Sequence, residues 1–419
     1  MNHIIANRKY KIHPSVPMDL LIEINNIASK LRIYRVAIVG GSIRDSILFY
    51  LRHGDLDTPN DIDLLIEGSA SQLTQEIIFV FGDDRVQRVT VYEKFNTAEI
   101  EIDNYKIDIA GARLEEYPKA GENPKVTPTS LEKDLRRRDF NANSIAFEIS
   151  TKKLIDLYQG EEDIKLNKLI FIHSKSVEED PTRIIRGARY AAKLNFKLDK
   201  NSINQIKSAI KEWPWEYKPG ESNRITPSAL GIRMKREIEL LLSQKEWKLG
   251  ITYLQEWGAL KLLDKDIQND IKWEKRISLA LKFKLPPLIA LICCSYNSID
   301  LAKRLELPIN QQKIISQTKE FDDWMSLKRN DSPNLWSAST WCKELERSKW
   351  NIEVIELSIC KEINNWEILY KWFTQWRHIK SPINARELIK RGWKEGRSLG
   401  IELDRIRLDY IDSISENRN

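Results

Sequence analysis

Residues 35–45 read RVAIVGGSIRD, and residues 60–65 read NDIDLL. The first stretch predicts a buried strand, a glycine turn and a helix with Arg44 in its first turn, and the second predicts a strand that carries Asp61 and Asp63. Glycines let backbone N–H groups approach phosphates closely, and a helix N-terminus favours their negative charge. Residues two apart on a strand point to the same face, so the two aspartates are able to share divalent cations. These features predict a triphosphate cradle beside a metal-binding carboxylate pair.

Each of these two motifs alone has an ordinary structural explanation. A Gly-Gly pair after an apolar strand is most often a tight turn, and a lone Asp-x-Asp is usually a solvated strand end. Finding both in order, within a strand–turn–helix context, favours a functional site over these explanations.

Three later motifs follow in a fixed order. They read LRRRDFNAN at residues 135–143, DLYQGEED at 156–163 and EDPTRIIR at 179–186. Together with the glycine and aspartate motifs, they resemble the class II tRNA nucleotidyltransferases and bacterial poly(A) polymerases, which are polymerase-beta-like nucleotidyltransferases. The resemblance spans residues 40–186, about a third of the chain.

The resemblance implies roles for residues around the glycine turn. Asp61 and Asp63 would bind two Mg²⁺ ions, one lowering the pKa of the attacking RNA 3′-hydroxyl and the other neutralising the triphosphate and the leaving pyrophosphate. Gly41, Arg44 and Arg137 would contact the incoming nucleotide, the glycine through its backbone and the arginines through their forked donors. The alternative for the three consecutive arginines around Arg137 is a solvated charge cluster.

Basic residues recur at three- and four-residue intervals after the last of these motifs. They are Arg183, Arg186, Arg189, Lys193 and Lys197. This spacing predicts one basic face of a helix. Such a face suits phosphate or the tRNA backbone, and an ordinary solvated face is the alternative.

Asp180 precedes Pro181 at the start of the predicted helix, which is typical of an N-cap followed by proline. The resemblance implies a second role, in which Asp180 and Arg183 serve as a protein template for cytosine and adenine. Both bases expose an amino donor beside an acceptor, whereas uracil and guanine present a carbonyl there, so an acid and an arginine distinguish them. Arg186 and Arg189 would help to select and position the nucleotide.

Two further stretches leave questions open. Asp108 is a possible third carboxylate, but its role depends on the order of the strands, and a solvent-facing acid is the alternative. Residues 232–239 read IRMKREIE and resemble a later family motif in which Ile232 stands for an acid. Arg233 and Glu237 are four residues apart and are expected to pair on a helix.

The periodicity changes along the chain. Predicted strands lie at residues 36–39, 61–66, 86–92, 98–102, 105–110 and 144–149, and predicted helices at 42–51 and 72–81. From residue 180 onward helical periodicity dominates. We therefore expect an α/β head of polymerase-beta-like nucleotidyltransferase type, followed by an all-helical neck, body and tail.

The expected boundaries are a catalytic head at 1–150, a neck with the nucleotide-selecting helix at 151–225, a helical body at 226–300 and a tRNA-binding helical tail at 301–419. The proline-rich residues 117–128 are expected to form a mobile surface loop.

The composition narrows the class of protein. The 419 residues include 67 Lys and Arg against 61 Asp and Glu, a net charge of only +6. Because this excess is modest, the positions of the charges, and not their sum, indicate the binding partners. The four cysteines lack zinc-ligand spacing and are expected to be buried thiols in a reducing compartment. No secretory signal and no apolar run of about 18 residues is found, so a cytoplasmic protein without a membrane span is expected.

All 13 tryptophans lie between Trp213 and Trp393 and are expected in helical cores, with Trp366, Trp372 and Trp376 partly exposed.

The expected function is template-independent addition of CCA to the 3′ end of tRNA from CTP and ATP, with Mg²⁺. A split-function enzyme that adds only CC or only A is a rival. Residues 113–128 are present, which the resemblance suggests is unusual for a CC-only enzyme. A poly(A) polymerase is less favoured because no long basic tail follows, and no protein partner can be inferred. A non-catalytic tRNA-binding protein would be expected to have lost the metal pair or the nucleotide cradle, and both are present.

Overall fold

The computed structural model describes residues 11–52, 54, 61–118, 121–212, 228–328, 336–347 and 350–416. It divides into two compact units, Met1–Leu262 and Leu263–Asn419. The predicted division into head, neck, body and tail is finer than this and stays a prediction.

The described strands all lie in the first unit. They are β1 (Val36–Val39), β2 (Asp61–Ile66), β3 (Val86–Tyr92), β4 (Thr97–Ile102), β5 (Tyr105–Gly111), β6 (Arg113–Glu116), β7 (Lys125–Pro128), β8 (Ile145–Glu148), β9 (Lys153–Asp156), β10 (Lys168–Leu169) and β11 (Lys197–Leu198). Seven of them form one mixed sheet in the order β3-β4-β5-β2-β1-β8-β9. The pair β2–β5 is parallel and the other neighbours are antiparallel. The strands predicted for the head are confirmed to within a residue or two at each end.

The centre of the sheet explains why its sequence is so apolar. The four residues of β1 are at most 1% exposed, because β2 and β8 flank the strand and side chains cover both of its faces. A strand buried on both faces reads as a continuous apolar run rather than an alternating one. β2 is likewise buried from Leu64 to Ile66, but Asp61 and Asp63 lie at its solvent-accessible N-terminal end.

The first unit also has ten described α-helices, some of which pack on this sheet. They are α1 (Met18–Lys30), α2 (Gly41–Leu51), α3 (Ala70–Phe81), α4 (Leu131–Arg136), α5 (Gly160–Lys165), α6 (Ser176–Glu179), α7 (Thr182–Leu194), α8 (Lys200–Glu212), α9 (Ser228–Leu242) and α10 (Trp247–Glu256), with short 3₁₀ turns at Glu93–Phe95, Asn141–Asn143 and Ala259–Leu262. The predicted α/β head followed by helices is confirmed, but the neck predicted at 151–225 is not all-helical, because β9, β10 and β11 lie within it.

The predicted loop at 117–128 is partly wrong. Lys125–Pro128 forms β7, which pairs antiparallel with β6, so the segment is a β-ribbon with residues 119–120 outside the described chain. Prolines exclude a central strand but are tolerated in a two-stranded ribbon, where one edge of each strand needs no ladder partner.

The predicted basic face is also partly wrong. Helix α7 ends at Leu194 because Asn195 takes a left-handed conformation, with φ of 56°. Lys197 therefore lies on β11 and not on the helix. Asparagine is one of the few residues that adopt this conformation readily at a helix end.

The second unit is helical throughout its described residues. Its helices are α11 (Lys265–Asn269), α12 (Trp273–Phe283), α13 (Pro287–Ile292), α14 (Ser298–Arg304), α15 (Ile309–Lys328), α16 (Ala338–Arg347), α17 (Ile352–Lys361), α18 (Trp366–Thr374), α19 (Ala385–Lys390) and α20 (Arg397–Glu416), with a 3₁₀ turn at Trp376–His378. Within the described chain no helix is both long and apolar enough to cross a membrane.

Tryptophans pack into the core of the second unit, as predicted. Trp341, Trp372 and Trp376 belong to one apolar cluster and are buried, so the expectation that the last two are partly exposed is wrong. Trp366 is half-buried, as expected. Trp213 lies outside the described residues. The four cysteines are free thiols, and three of them are buried.

Candidate active site

The glycine turn between β1 and α2 has little room for any other residue. Gly40 has φ of 72°, a conformation that side chains with a Cβ rarely adopt. A Cβ added at Gly40 would lie 3.1 Å from Oδ2 of Asp63 and 3.4 Å from Nη1 of Arg138. The Ser42 hydroxyl donates to the backbone oxygen of Asp61 at 3.0 Å and ties the start of α2 to the start of β2. The two motifs quoted first therefore meet at one point.

The carboxylate pair lies at the open end of β2. Antiparallel pairing places Asp63 opposite Val39, directly beside the glycine turn. Asp63 is half-buried, and Asp61 is exposed with its carboxylate 3.6 Å from Nζ of Lys106. Burial raises the pKa of Asp63, the guanidinium of Arg138 opposes this shift, and the charge of Asp61 reinforces it.

Asp108 shares the face of the sheet that carries Asp63. The two residues are opposite each other on the parallel strands β2 and β5, so their side chains project to the same side. One oxygen of Asp108, Oδ1, is buried and has no hydrogen-bond partner among the described residues. Burial, opposed by Lys106 and reinforced by Asp63, raises the pKa of Asp108 to about 6. The solvent-facing alternative is therefore wrong.

A cleft of about 370 Å³ opens beside the glycine turn. Its walls come from the turn, β2, the β6–β7 ribbon, the segment after α4, and the helices α7 and α9. The lining residues include Gly40, Gly41, Asp63, Arg113, Glu115, Tyr117, Asn123, Pro124, Arg137, Arg138, Asp139, Asn143, Asp180, Arg183, Arg186, Tyr190 and Arg233. Arginines outnumber carboxylates in this lining, which suits an anionic ligand.

Three predicted site residues are not among those lining the described cleft: Asp61, Arg44 and Arg189. The Arg44 guanidinium is buried, where Nε donates to Asp45 at 2.8 Å and Nη1 donates to the amide oxygen of Asn143 at 2.6 Å. It also lies over the ring of Tyr190, 5.0 Å from the centroid. In this arrangement Arg44 contacts Asn143 and Tyr190, two residues that line the cleft. Its predicted contact with the nucleotide stays a prediction.

Arg137 lines the cleft but is held by two carboxylates. Its nitrogens lie 2.7 Å from Asp134 and 2.8 Å from Glu115, a residue of β6. Its neighbour Arg138 also contacts Asp134, at 3.4 Å, and it approaches the glycine turn and the Asp63 carboxylate. The alternative of a solvated cluster is wrong for these two residues. The position of Arg138 beside Asp63 was not predicted, although Arg138 directly follows Arg137.

Asp139 anchors α7 to the cleft floor. Nη2 of Arg186 lies 2.9 Å from its carboxylate, and the Asn143 side-chain amide donates to it at 3.0 Å. Burial alone would raise its pKa, but Arg186 and the hydrogen bond from Asn143 hold the pKa of Asp139 below its usual value. An ionised Asp139 therefore fixes Arg186 in the cleft wall.

Asp180 and Arg183 lie on the same wall. Asp180 accepts from the backbone N–H of Thr182 at 3.2 Å and from its hydroxyl at 2.8 Å, so it caps a helix that begins one residue later than predicted. Both bonds use Oδ1, which leaves Oδ2 outside this cap. Arg183 is buried and donates to the backbone oxygens of Arg137 at 2.6 Å and Ser176 at 3.1 Å. Capping and a position on the cleft wall are thus compatible in Asp180.

The expected pair of Arg233 and Glu237 on α9 does not form. Glu237 instead accepts from Arg189 of α7, with atoms 3.0 Å apart, while Arg233 bonds to the carbonyl oxygen of Gly121 and to Asn123. The reason is tertiary packing: α9 lies against both α7 and residues 121–123, so partners across the interface replace partners along the helix. Sequence spacing alone contains no signal for this choice.

Tyr190 was also missed. Its ring lines the cleft between Arg44 and Arg189, whose guanidinium lies 4.5 Å from the ring centroid. Burial raises the pKa of this phenol, but Arg186 and Arg189 reverse the shift and lower the pKa below its usual value. A lone tyrosine in a helix carries no sequence signal for such a position.

The sheet-bearing region is similar to known proteins. A family model described as the poly A polymerase head domain matches residues 36–170. The chain is 26% identical to an A-adding tRNA nucleotidyltransferase of Aquifex aeolicus over 397 residues, which cover 91% of this chain and 45% of that protein. It is 30% identical to a CC-adding tRNA nucleotidyltransferase of Deinococcus radiodurans over 54% of this chain and 55% of that protein. The chain thus spans about half the length of these curated relatives.

Solved structures share the fold over most of the chain. A CCA-adding enzyme in an apo form superposes with a TM-score of 0.68 at 21% identity, covering 96% of this chain and 93% of that one. The Thermotoga maritima CCA-adding enzyme complexed with tRNA superposes with a TM-score of 0.65 at 21% identity, covering 96% and 92%.

Proposed function

We propose that this chain is a member of the class II tRNA nucleotidyltransferase and poly(A) polymerase family and adds nucleotides to the 3′ end of tRNA without a nucleic-acid template. One observation carries the proposal: the glycine turn and Asp63 open on the same cleft as Asp180 and Arg183. A group that would hold the triphosphate thus faces a group that would choose the base. Relatives named as tRNA nucleotidyltransferases support tRNA as the acceptor.

The proposed product is CCA, built from CTP and ATP. An acid and an arginine accept both cytosine and adenine, because each base presents an amino donor beside an acceptor. Addition of A alone is the second candidate, favoured by the A-adding relative that matches 91% of this chain. Addition of CC alone is less favoured because the β6–β7 ribbon is present and contributes Glu115 and Tyr117 to the cleft.

Members of this family use a divalent metal ion, and we propose Mg²⁺ bound by Asp61 and Asp63. The donor set fits: two carboxylates project from one face of β2, and burial and mutual repulsion already raise the pKa of Asp63, a cost that a dication would offset. Among the described residues no three acidic, histidine or cysteine side chains are grouped as a complete metal site. Two protein carboxylates suit Mg²⁺, because this ion keeps several waters. When bound, the ion would neutralise triphosphate charge and make the RNA 3′-hydroxyl more acidic.

Side chains of the protein would bind the triphosphate and align it with the RNA end. Arg137, Arg138 and Arg186 would bind phosphate oxygens and align the nucleotide with the RNA end, since the cleft wall already presents their donors. Asp139 and Glu115 keep Arg186 and Arg137 oriented before the nucleotide arrives. Positioning and charge stabilisation are the main sources of catalysis in transfers of this kind.

In the test, purified protein is incubated with Mg²⁺, with labelled CTP or ATP, and with one of three tRNAs. The first tRNA lacks CCA, the second ends in CC and the third is complete. We expect CTP to extend the first tRNA, ATP to extend the second, and nothing to extend the third. ATP incorporation into the CC-ending tRNA alone would instead indicate an A-adding enzyme. No incorporation into any of the three would overturn the proposal.

Asp61→Ala combined with Asp63→Ala is the matched inactive variant. We expect transfer to fall by at least about a thousandfold, because removal of the metal ligands removes the main stabilisation of developing charge. Its melting temperature should stay close to that of the unaltered protein, since Asp61 is exposed and Asp63 half-buried. Undiminished transfer by a folded double variant would exclude this pair as the metal site.

A further inference from the structure

The side chain of Arg233 connects three separate groups at the cleft. Nη2 donates to the carbonyl oxygen of Gly121 at 2.9 Å, and Nη1 donates to the amide oxygen of Asn123 at 3.0 Å. Nη2 also lies 3.6 Å from Oδ1 of Asp180. One residue of α9 therefore links the segment between β6 and β7 to the carboxylate proposed to read the base.

A second set of contacts holds the same segment in place. The backbone N–H of Gly121 donates to the carbonyl oxygen of Glu179 at 3.3 Å, directly next to Asp180. Gly121 has φ of 76°, and a Cβ added there would collide with the side chain of Leu230 on α9. The segment is thus seated against both α9 and the start of α7, and only glycine fits at the contact.

Burial and hydrogen-bond geometry make Arg233 hard to replace. Its side chain is 28% exposed and that of Asp180 only 14%, so their attraction is less screened than that of a surface pair. The planar guanidinium presents several donors in a fixed fork, which a lysine ammonium lacks. Nε is buried without an acceptor among the described residues, so the orientation of Arg233 depends on its terminal nitrogens.

We propose that Arg233 is a positioning residue for nucleotide selection. It holds the Asp180 carboxylate in register and docks residues 121–124 so that Asn123 and Pro124 form one wall of the cleft. The inference rests on the proposed function, because it assigns the docked segment and the held carboxylate to the choice of base. This role of Arg233 requires neither a contact with Glu237 nor the acid that Ile232 replaces.

The test compares Arg233→Gln with Arg233→Lys, Gly121→Ala and Asp180→Ala. Arg236→Gln is the control, because Arg236 is exposed on the same helix. For each variant, kcat and KM are measured for all four nucleoside triphosphates on a tRNA that the unaltered protein extends. Trypsin cleavage after Lys125, an exposed residue of the ribbon, reports docking of the segment independently of catalysis.

We expect Arg233→Gln to lower the preference for CTP or ATP over UTP and GTP by about tenfold, the equivalent of roughly 1.4 kcal/mol. The loss should appear mainly in KM of the correct nucleotide, with kcat within about threefold. Arg233→Lys should not restore the preference, and Gly121→Ala should reproduce the loss. Adding Arg233→Gln to Asp180→Ala should change selection little further, because both act through one carboxylate. Cleavage after Lys125 should accelerate in the variants of Arg233 and Gly121 but not in Arg236→Gln.

Two outcomes would overturn the inference. An equal loss for all four nucleotides, with a lowered melting temperature, would make Arg233 a packing residue of α9. Unchanged selection together with unchanged cleavage after Lys125 would remove the link altogether. If the unaltered protein extends no tRNA, the proposed function and the selection role fail together, whereas the cleavage rates still decide whether Arg233 docks the segment.

Discussion

Gly40 determines how closely the glycine turn approaches the Asp63 carboxylate. Gly40 adopts a backbone conformation that disfavours a Cβ and at the same time lies against the Asp63 carboxylate. These two constraints are separable, because a conformational strain acts on folding, whereas a steric conflict with Asp63 acts on the site. Substitution of Gly40 therefore tests the site at its narrowest point.

Gly40→Ala should abolish most transfer while the protein still folds. The added Cβ would press on Oδ2 of Asp63 at 3.1 Å and displace the carboxylate or the turn. The unusual backbone conformation costs about 1–3 kcal/mol of unfolding free energy. Denaturant titration and the tRNA extension assay measure the two effects separately.

Gly82→Ala is the matched control for strain. Gly82 has φ of 69°, close to that of Gly40, but no heavy atom of the described residues lies within 4 Å of its added Cβ. The two variants should lose similar stability, and only Gly40→Ala should lose transfer. Equal transfer by both would show that the space beside Asp63 is not limiting.

At the scale of elements, individual strands were readable from the sequence but their order was not. The run of four apolar residues in β1 and the alternation in β4 reflect burial, which is a local property of each strand. Asp108 shows the limit, since its place beside Asp63 depends on the parallel pairing of β2 and β5 across some forty residues. No local pattern specifies that pairing.

The partners of the arginines on α7 were likewise not predictable from the sequence, because they depend on how the helices pack. The spacing of Arg183, Arg186 and Arg189 correctly predicted a helix, yet it predicted one shared basic face for phosphate or the tRNA backbone, with a solvated face as the alternative. The structure instead directs each guanidinium to a different partner: backbone oxygens, Asp139 and Glu237. A helix whose charged face meets another helix reads the same in sequence as one that meets water.

Glu237→Gln should loosen the packing of α7 on α9. Its carboxylate lies 3.0 Å from Arg189 and 3.8 Å from Arg186, and it is largely shielded from water. Loss of the charge should cost about 1–3 kcal/mol of unfolding free energy, because partly buried guanidinium groups lose a partner. KM for the nucleotide should rise several-fold, since Arg186 then relies on Asp139, and the preference among bases should remain.

Glu239→Gln provides the control on the same helix, where the side chain is exposed. It should leave both stability and KM unchanged, because isolated surface charges contribute little. A shift in base preference in Glu237→Gln would contradict the separation drawn between Glu237, which supports α7, and Arg233, which supports Asp180.

At the scale of the whole molecule, the residues lining the candidate cleft all belong to the first unit. The second unit has an apolar core of its own around Trp341 and Phe321. Nine of the 13 tryptophans lie beyond Leu262, so their fluorescence reports mainly on the second unit. Stability of this unit can therefore be followed without reference to the chemistry of the cleft.

One carboxyl group in this second unit favours its neutral form. Glu356 on α17 is only 8% exposed, and burial, reinforced by Glu353 and opposed by Arg377, raises its pKa to about 7. A glutamate in the unfolded chain has a pKa of about 4.3. The folded state therefore binds a proton more tightly than the unfolded state. The resulting stabilisation is fully present below the unfolded pKa and is lost as the pH rises through about 7.

Glu356→Gln should remove this pH dependence. At pH 8 the unaltered protein must keep a charge in a largely buried position, whereas glutamine is neutral, so the variant should melt roughly 2–4 °C higher in tryptophan fluorescence. At pH 5 the carboxyl of Glu356 is mostly protonated in the folded state, so the difference in melting temperature between the two proteins should be clearly smaller than at pH 8. Glu353→Gln should shift the melting temperature in the same direction by less, because it removes only the neighbouring charge. A gap between the Glu356→Gln variant and the unaltered protein that is equal at both pH values would show that Glu356 acts through packing and not through its ionisation.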